Sequence, residues 1–539
     1  MRAIVVFLLA VSTTSFAAGG DVAAQKVDQL FATYDKPDSP GCSIGVVRDG
    51  KFVYRKSYGA ASLELGVPLT SQSVFYLASV SKQFTAASVA LAAEQGHLSL
   101  DDNVRKWIPE LPDYGHPITL RQMLHHTSGL RDFLTLEYIS GREIADLSSP
   151  DYVLKLLAQQ KELNNIPGAE FVYSNSNYFL LGVVVKRATG KSLAEFAAQN
   201  IFQRLGMMNT RYYDDNKLVI ANRVAAYEPA KTGFSVDWST AFDIVGSGGV
   251  MSNVDDLLLW NNNFYANKLG EGTLVSELES QGVLNNGKKI NYALGLWLDE
   301  YRGLRTIDHD GATFGYRTAL LQFPDQHFGV IELCNVADAD VSGLARKIAD
   351  IYLERELQPE AGPSESSATF RDPAPFAGVY LDRRTHVVYT FAAENGKLMA
   401  WGVTLRRLGA NKFSDLEDNP ITFEEANGVM TARLDIQGEM YFYGDKVQDI
   451  HLGQDELRAF AGQYHSDELD ATYRLSFEHD NLLLTIGEQQ PMKLQPITTV
   501  EFRVTEIGTV VFHRNAHQRV TGLTVYSQAA RGVDLKKVQ

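Results

Sequence analysis

The last third of this 539-residue chain contains an internal repeat, and the repeat restricts the fold more than any other feature. Three pairs of residues share a separation of 84 residues: Tyr380 with Tyr464, Tyr389 with Tyr473, and Leu398 with Leu482. Each copy is a series of short runs in which apolar and polar residues alternate, as in half-buried strands. An internal repeat of this kind indicates that one small fold occurs twice. We therefore expect two small antiparallel, lipocalin-like β-barrels at residues 376–453 and 454–539.

The chain ahead of the repeat is long enough for one large domain. Residues 359–375 are rich in Pro, Ser, Glu and Ala, and we interpret them as a linker. Helical patterns fill residues 118–262, between an early hairpin and four later strand patterns, so one sheet must combine strands that are distant in sequence. This order predicts an α/β (α+β) domain at residues 25–358. The expected strands are Cys42–Val47, Phe52–Tyr54, Leu294–Trp297, Thr306–His309, Arg317–Phe323 and Phe328–Cys334, and further helices are expected at 27–34, 79–95 and 344–354.

Residues 1–24 have the pattern of a secretory signal peptide. Arg2 precedes an apolar run from Ala3 to Val11, and small residues follow this run. The run is too short for a permanent membrane anchor, and no later apolar run approaches spanning length. We therefore expect a secreted or periplasmic protein that does not insert into the membrane after the signal is removed.

Charge and cysteine content restrict the partners and cofactors. The formal net charge is −15 and basic residues are not clustered, which argues against nucleic acid as a partner. Cys42 and Cys334 both lie in strand patterns, and two alternatives remain: a disulfide in an oxidising compartment, or two small buried thiols. The histidines show no metal-ligand spacing, so we expect no metal and no other cofactor. The expected partner is a small-molecule or peptide substrate, and a homo-oligomer is compatible with the sequence.

Ser79 and Lys82 are the first candidates for chemistry. They stand three residues apart at the predicted start of a helix, so their side chains lie on one face. A serine hydroxyl needs a neighbour that takes its proton, and a lysine does so only when its pKa falls below about 10.4. Burial or a nearby cation would lower that pKa. The spacing alone arises by chance in a chain of this length, so further motifs have to support it.

A second serine, Ser43, lies at the centre of Gly41–Gly45, which matches the G-x-S-x-G elbow of α/β-hydrolases. That elbow requires a strand, a sharp turn and then a helix. Here the motif continues through Asp49-Gly50 into a second strand, which is typical of a hairpin. We therefore interpret Ser43 as a strand residue and not as a nucleophile.

Two more motifs follow Ser79 in a fixed order. They are Tyr173–Asn175 and, at the end of a predicted strand, His309–Gly311. Separately the two motifs are compatible with a buried tyrosine and a loop. Together with Ser79 and Lys82 they give S-x-x-K, Y-x-N and H-x-G in this order, and in this the chain resembles the penicillin-recognising serine hydrolases. The similar branch contains class C β-lactamases, D-Ala-D-Ala carboxypeptidases, related esterases and D-aminopeptidases. His125–Leu130 and Gly246–Ser252 extend the resemblance over most of the first domain.

The resemblance implies a serine β-lactamase-like catalytic domain, with a five-stranded antiparallel sheet, a helical lobe and an active site between them. It implies that Ser79 becomes acylated while Lys82 and Tyr173 share the proton transfers. The other implied roles are orientation of Lys82 or of a substrate amide by Asn175, an oxyanion hole from the backbone N–H groups of Ser79 and Ala312, and substrate contact by His309 and Gly311.

His309 stands where many members of this family have a lysine. We expect it to face the carboxylate end of a substrate or to tune Tyr173. A mostly neutral imidazole binds a carboxylate less firmly than an ammonium does. The replacement therefore favours the esterase and D-aminopeptidase members over strict β-lactamases or carboxypeptidases.

The two predicted barrels give the chain a layout similar to that of D-aminopeptidases. In that group a long loop of the last barrel contributes to recognition of a free α-amino group. The corresponding segment here, Phe502–Phe512, is a short turn that we expect not to reach the site. The first hypothesis is therefore an exported serine hydrolase that forms an acyl-enzyme on D-amino-acid-containing peptides, amides or small esters. The alternatives are a D-Ala-D-Ala carboxypeptidase or weak β-lactamase, and a penicillin-binding or wall-sensing protein with little turnover.

Overall fold

The computed structural model describes residues 17–142, 148–237, 243–359, 372–415, 419–436, 439–448 and 450–538. Most of the predicted signal peptide and linker, residues 1–16 and 360–371, lies outside these ranges. Among the helices of the described ranges, none combines the length and the apolar character needed to cross a membrane.

The helices and strands are as follows. The helices are α1 Ala17–Leu30, α2 Ser81–Glu94, α3 Leu120–Leu124, α4 Phe133–Ile139, α5 Pro150–Ala158, α6 Asn175–Thr189, α7 Leu193–Ala197, α8 Gln203–Leu205, α9 Val254–Ala266, α10 Leu274–Leu278, α11 Val341–Tyr352 and α12 Gln454–Arg458. The strands of the first domain are β1 Cys42–Arg48, β2 Lys51–Tyr58, β3 Ala60–Ser62, β4 Val67–Pro68, β5 Phe75–Tyr76, β6 Arg211–Tyr212, β7 Ala226–Pro229, β8 Phe234–Asp237, β9 Val250–Ser252, β10 Trp297–Tyr301, β11 Leu304–Thr313, β12 Tyr316–Phe323 and β13 Phe328–Cys334. The later strands are β14 Gly378–Leu381, β15 Val388–Glu394, β16 Lys397–Ala400, β17 Val403–Thr404, β18 Arg406–Arg407, β19 Lys412–Ser414, β20 Pro420–Ala426, β21 Val429–Ile436, β22 Glu439–Val447, β23 Gly462–Ser466, β24 Ala471–Glu478, β25 Asn481–Ile486, β26 Met492–Lys493, β27 Gln495–Pro496, β28 Glu501–Val504, β29 Gly508–Arg514, β30 Val520–Ser527 and β31 Ala530–Val538.

Six antiparallel strands form the main sheet of the first domain, in the order β10-β11-β12-β13-β1-β2. The early hairpin thus pairs with the late strand β13, as its position in the sequence predicts. Cys42 lies opposite Cys334 in this pairing, and the two form a disulfide, which decides between the two alternatives for the cysteines. The resemblance implied five strands, but the sheet has six, as the strand patterns in the sequence predicted. The bounds differ most for the edge strand β10. It starts at Trp297 and not at Leu294, because Gly295 has a left-handed φ of 74° that interrupts extended backbone.

Both faces of this sheet are covered by helices. Helices α1 and α11 pack on one face, and α9 packs on the other against β1 and β13. Strands β1 and β13 are therefore buried almost throughout and are mainly apolar, although they include the buried Ser43 and Glu332. The edge strand β2 mostly alternates between exposed and half-buried residues. The predicted first helix starts at Ala17, earlier than the expected Val27.

Helix α2 lies at the centre of the helical lobe. Every residue from Ser81 to Ala92 is buried. The many small side chains of α2 allow α6, α7 and α10 to approach it closely and to cover it. The turn that precedes α2 packs against β11. At that contact a Cβ on Gly311 would lie 2.4 Å from the backbone oxygen of Leu77, so only glycine allows this approach. The start of α2 is thereby held between the sheet and the helical lobe.

The two repeats form two nine-stranded antiparallel sheets, named here barrel 1 (β14–β22) and barrel 2 (β23–β31). Their strand orders are equivalent, and in each the two edge strands are consecutive in sequence, which nearly closes the sheet into a barrel. The repeated tyrosines make equivalent contacts: Tyr380 donates a hydrogen bond to the backbone oxygen of Phe376, and Tyr464 donates one to that of Phe460. The predicted pair of related barrels is confirmed.

Barrel 2 is joined to the first domain more closely than barrel 1 is. A single apolar cluster extends from the first domain into barrel 2, whereas barrel 1 has a cluster of its own. Within the joint, the guanidinium of Arg131 contacts the carboxylate of Glu468 at 2.7 Å, and both side chains are buried. Arg131 also donates to the backbone oxygens of Arg531 and Gly532 in barrel 2. Barrel 2 is therefore packed against the first domain through buried apolar and ionic contacts.

This buried pair generates a stability prediction. Glu468→Ala leaves the Arg131 cation buried without its carboxylate, so we expect the free energy of unfolding of the first domain with barrel 2 to fall by about 3–5 kcal/mol. Urea unfolding followed by circular dichroism measures this loss. The control is Asp467→Ala, which removes the neighbouring exposed pair with Lys161 and should cost less than about 1 kcal/mol. Equal effects of the two substitutions would contradict the prediction.

Candidate active site

Ser79 lies in a strained turn between strand β5 and helix α2. Its neighbour Ala78 has a φ of 48°, a left-handed conformation that non-glycine residues rarely adopt. Hydrogen bonds to the backbone of Leu77 hold this turn: its N–H donates to Val250, and its oxygen accepts from the Thr318 hydroxyl. Backbone strain of about 1–3 kcal/mol persists only where the surroundings enforce it, and such positions cluster at functional sites.

The amine of Lys82 meets Ser79 from the first turn of α2. The Lys82 side chain is fully buried, and its Nζ lies 3.0 Å from the Ser79 hydroxyl, 2.9 Å from the Asn175 side-chain oxygen and 2.8 Å from the backbone oxygen of Ser247. The last two partners can only accept hydrogen bonds. A neutral amine has two hydrogens for these two acceptors, and its lone pair then faces the Ser79 hydroxyl. The geometry thus suits a lysine that accepts the serine proton.

Burial also favours the neutral form of Lys82. It lowers the pKa of the Lys82 ammonium to about 7, although the carboxylates of Asp132 and Asp310 act in the opposite direction. The neutral amine is therefore accessible near neutral pH. The condition set by the sequence motif, a lysine with a strongly lowered pKa, is met in the structure.

Tyr173 lies beside this pair, just ahead of α6. The Lys82 amine is 4.8 Å from the centre of its ring. Burial raises the pKa of the Tyr173 hydroxyl well above its usual range, and a hydrogen bond with Ser79 only partly opposes this effect. Tyr173 therefore keeps its proton, so the roles of the two groups differ. Lys82 is the group able to accept a proton, and Tyr173 is the group able to donate one.

His126 supports the ring of Tyr173, a contact that the sequence analysis did not assign. The two rings stack with their centres 4.2 Å apart, and His126 Nδ1 accepts the Ser174 N–H at 3.1 Å. Burial, followed by the positive charge of Lys82, keeps the pKa of His126 well below its usual value. His126 is thus a neutral packing group. It belongs to the His125–Leu130 motif, which was the available signal.

Asp132 was also missed, and it connects the site to barrel 2. Its carboxylate caps α4 by accepting the Thr135 N–H, and it accepts the Asn175 N–H at 2.5 Å. Its own N–H donates to the backbone oxygen of Ala529, in the turn between β30 and β31. An aspartate before an apolar helical run is an N-cap signal that could have identified it. Barrel 2 therefore reaches the site through this turn, whereas Phe502–Phe512, as expected, does not line the cleft.

The structure corrects the position that the sequence predicted for His309 in its strand. The H-x-G motif lies within β11, which continues to Thr313, and not at the end of a strand. Its imidazole is buried, with Nδ1 donating to the Asp310 backbone oxygen and Nε2 accepting from the Tyr292 hydroxyl. Burial lowers the pKa of His309 to about 4. Both nitrogens thus have partners within the protein, and the two predicted roles of His309, contact with a substrate and an effect on Tyr173, stay predictions.

The other predicted positions are placed as follows. Gly311 is buried against the turn of Ser79, where a Cβ would lie 3.0 Å from the Ser79 nitrogen, and its contact with a substrate stays a prediction. Ala312, the next residue, is exposed, which leaves the oxyanion hole with Ser79 a prediction. Ser43 is buried in β1, with its hydroxyl 2.9 Å from that of Ser57, as expected for a strand residue.

A cleft of about 680 Å³ opens beside Tyr173 and Asn175. Its walls come from the first domain, from barrel 1 and from barrel 2. The fold and the cluster of Ser79, Lys82 and Tyr173, of which Tyr173 lines this cleft, define a serine hydrolase.

Comparison with known proteins agrees with this class. Residues 27–353 match the family model described as Beta-lactamase, and the chain belongs to that family. A D-aminopeptidase of Brucella melitensis biotype 2 is 27% identical over 519 residues, which span 93% of this chain and 96% of that protein.

Two solved structures have similar folds. The octameric penicillin-binding protein homologue from Pyrococcus abyssi has a TM-score of 0.54 at 20% identity, over 88% of this chain and 99% of its own. The D-amino acid amidase from Ochrobactrum anthropi SV3 has a TM-score of 0.52 at 21% identity, over 63% of this chain and 98% of its own. At these identities the likeness concerns the fold.

The contact between Asp132 and the Lys82 site generates a pH prediction. The Asp132 carboxylate raises the pKa of Lys82, so Asp132→Asn should lower that pKa and shift the onset of Ser79 reactivity to lower pH. The rate of Ser79 labelling by a fluorophosphonate probe, measured against pH, reports this onset, which we expect at about pH 7 in the unsubstituted protein.

Asp340→Asn is the matched control for this prediction. Asp340 caps α11 in the same way, by accepting the Gly343 N–H at 2.9 Å, but it lies outside the cleft. This variant should keep the onset of the unsubstituted protein. An onset in Asp132→Asn that is unchanged or moves to higher pH would contradict the assignment.

Proposed function

We propose that this protein hydrolyses amide bonds of D-amino-acid-containing peptides or amides through an acyl-enzyme on Ser79. The observation that carries the proposal is the three-partner environment of Lys82, which leaves its lone pair for the Ser79 proton. The substrate class is supported by the activities that two similar proteins are named for, the D-aminopeptidase and the D-amino acid amidase.

In the proposed first step, Lys82 takes the proton of the Ser79 hydroxyl while the Ser79 oxygen bonds to the substrate carbonyl carbon. The carbonyl oxygen becomes negative and is stabilised by the backbone N–H groups of Ser79 and Ala312. The C–N bond then breaks, and the leaving nitrogen receives a proton from Tyr173, which regains one from Lys82. The products of this step are a free amine and a Ser79 ester.

In the second step, water attacks the Ser79 ester. Lys82, neutral again, accepts a proton from the water while the water oxygen bonds to the carbonyl carbon. Breaking of the ester bond releases the acid, and the proton returns to the Ser79 oxygen. The same lysine thus serves both halves of the reaction, and its pKa of about 7 allows both the neutral and the charged form near neutral pH.

The carboxypeptidase and β-lactamase alternatives receive less support. Recognition of a substrate carboxylate is best served by a cation, and the imidazole at His309 is neutral near pH 7 because burial lowers its pKa to about 4. An amide or ester without that carboxylate does not require such a cation. Small esters therefore remain compatible with the site as alternative substrates.

We also propose that the protein is exported. The support is the charged and then apolar start of the sequence, together with the disulfide between Cys42 and Cys334. Disulfides persist in oxidising compartments, such as the bacterial periplasm, and are rare in the cytosol.

The nucleophile is tested by comparing two serines. With D-alanine amide as substrate and ammonia release as the readout, Ser79→Ala should lose about 10⁴-fold or more in kcat/KM, because the acyl-enzyme cannot form. Ser43→Ala, which changes the buried serine of the G-x-S-x-G segment, should retain activity. Loss of activity in Ser43→Ala only, or retention in both variants, would overturn the proposal.

A further inference from the structure

The outer part of the cleft has a wall that belongs to neither the sheet nor the helical lobe of the first domain. Met440 and Tyr441 of strand β22, in barrel 1, form this wall, and Gln528 and Ala529 of barrel 2 adjoin it. Tyr173 and Asn175 line the same cleft. One continuous space therefore connects Tyr173 and Asn175, which contact Ser79 and Lys82, with barrel 1.

Apolar surface faces this space from both sides. Met440 and Tyr441 are 46% and 41% exposed, although side chains of this size are usually covered. Phe171 and Leu284 of the first domain line the cleft as well. Uncovered apolar side chains that converge on a concave site are typical of ligand contact.

Two arginines on the wall share one carboxylate, and Lys288 and Asp132 also line the cleft. The Glu170 carboxylate accepts from Arg384 of barrel 1 and, at 3.1 Å, from Arg531 of barrel 2. This junction ties both barrels to the first domain at the cleft. Because Glu170 already engages both arginines, we expect the part of the wall formed by Met440 and Tyr441 to select a ligand by apolar contact.

The volume of the cleft also exceeds the needs of a small amide. At about 680 Å³ it falls among sites that bind ligands of drug size, which are roughly 300–1,000 Å³. D-Alanine amide would leave most of this space filled with water. A substrate with a second bulky group would displace that water and cover the exposed apolar side chains.

We propose that the outer cleft is a subsite for a bulky apolar group attached to either side of the scissile amide. Tyr441 of barrel 1 is then a specificity-determining residue. The inference rests on the proposed amide hydrolysis and adds its substrate class: extended amides or short peptides with an aromatic group next to the residue at the reaction centre.

Three substrates test the subsite. D-Alanine amide is the reference, N-phenylacetyl-D-alanine amide adds an aromatic group on the acyl side, and D-alanine benzylamide adds one on the leaving side. We expect at least one extended substrate to exceed the reference by about tenfold or more in kcat/KM. Tyr441→Ala should remove this advantage and change the rate with D-alanine amide less than twofold.

Tyr443→Ala is the matched control. Tyr443 lies two residues further along β22, is 47% exposed, and does not line the cleft. The Tyr443→Ala variant should keep kcat/KM for all three substrates within twofold of the values of the unsubstituted protein. Absence of any advantage for the extended substrates, or equal effects of Tyr441→Ala and Tyr443→Ala, would overturn the subsite.

A binding experiment separates this inference from the proposed function. Isothermal titration calorimetry in the Ser79→Ala background measures binding of the two extended amides without turnover. At least one of them should bind about tenfold more weakly after Tyr441→Ala, and its affinity should not change after Tyr443→Ala. If binding depends on Tyr441 but no amide is hydrolysed, the subsite stands and the proposed function fails. If the protein hydrolyses D-alanine amide in a Ser79-dependent way but the affinity for the extended amides does not depend on Tyr441, the subsite fails and the proposed function stands.

Discussion

The burial of the Lys82 amine is the constraint on which the rest of the site depends. An ammonium loses its hydration when it is enclosed, so burial favours the neutral amine and lowers the pKa of Lys82 to about 7. Burial would be costly without partners, and Asn175 and Ser247 supply two acceptors. The first comes from α6 and the second from the segment ahead of β9. The helical lobe is thus arranged so that the third hydrogen-bond partner of the amine is the Ser79 hydroxyl.

Barrel 2 contributes to this arrangement although it lies at the other end of the sequence. The backbone of Ala529 accepts from Asp132, and the Asp132 carboxylate accepts from Asn175, which in turn accepts from Lys82. The buried pair of Arg131 and Glu468 fixes the barrel at the same position. The octameric homologue and the full-length relatives match most of this chain, barrels included, which agrees with a fold that combines the three units.

The sequence predicted what repeats, motifs and local patterns encode. Tyr380 and Tyr464 predicted two related barrels, and the hairpin after Ser43 excluded a false nucleophile. Contacts that depend on tertiary packing escaped prediction: the Ala529 oxygen that meets Asp132 belongs to a backbone group, which has no residue signature. For His309, the resemblance implied a substrate contact, and only the structure shows that Asp310 and Tyr292 already occupy both nitrogens.

The most direct test of this account is the pKa of Lys82 itself. ¹³C NMR of the protein labelled at the lysine ε-carbons, with the Lys82 signal identified by its absence in Lys82→Arg, gives a titration curve for this one amine. The account predicts a midpoint at about pH 7. A midpoint near the solution value of about 10.4 would show that the amine stays charged beside Ser79, and it would contradict the role of Lys82 as the base.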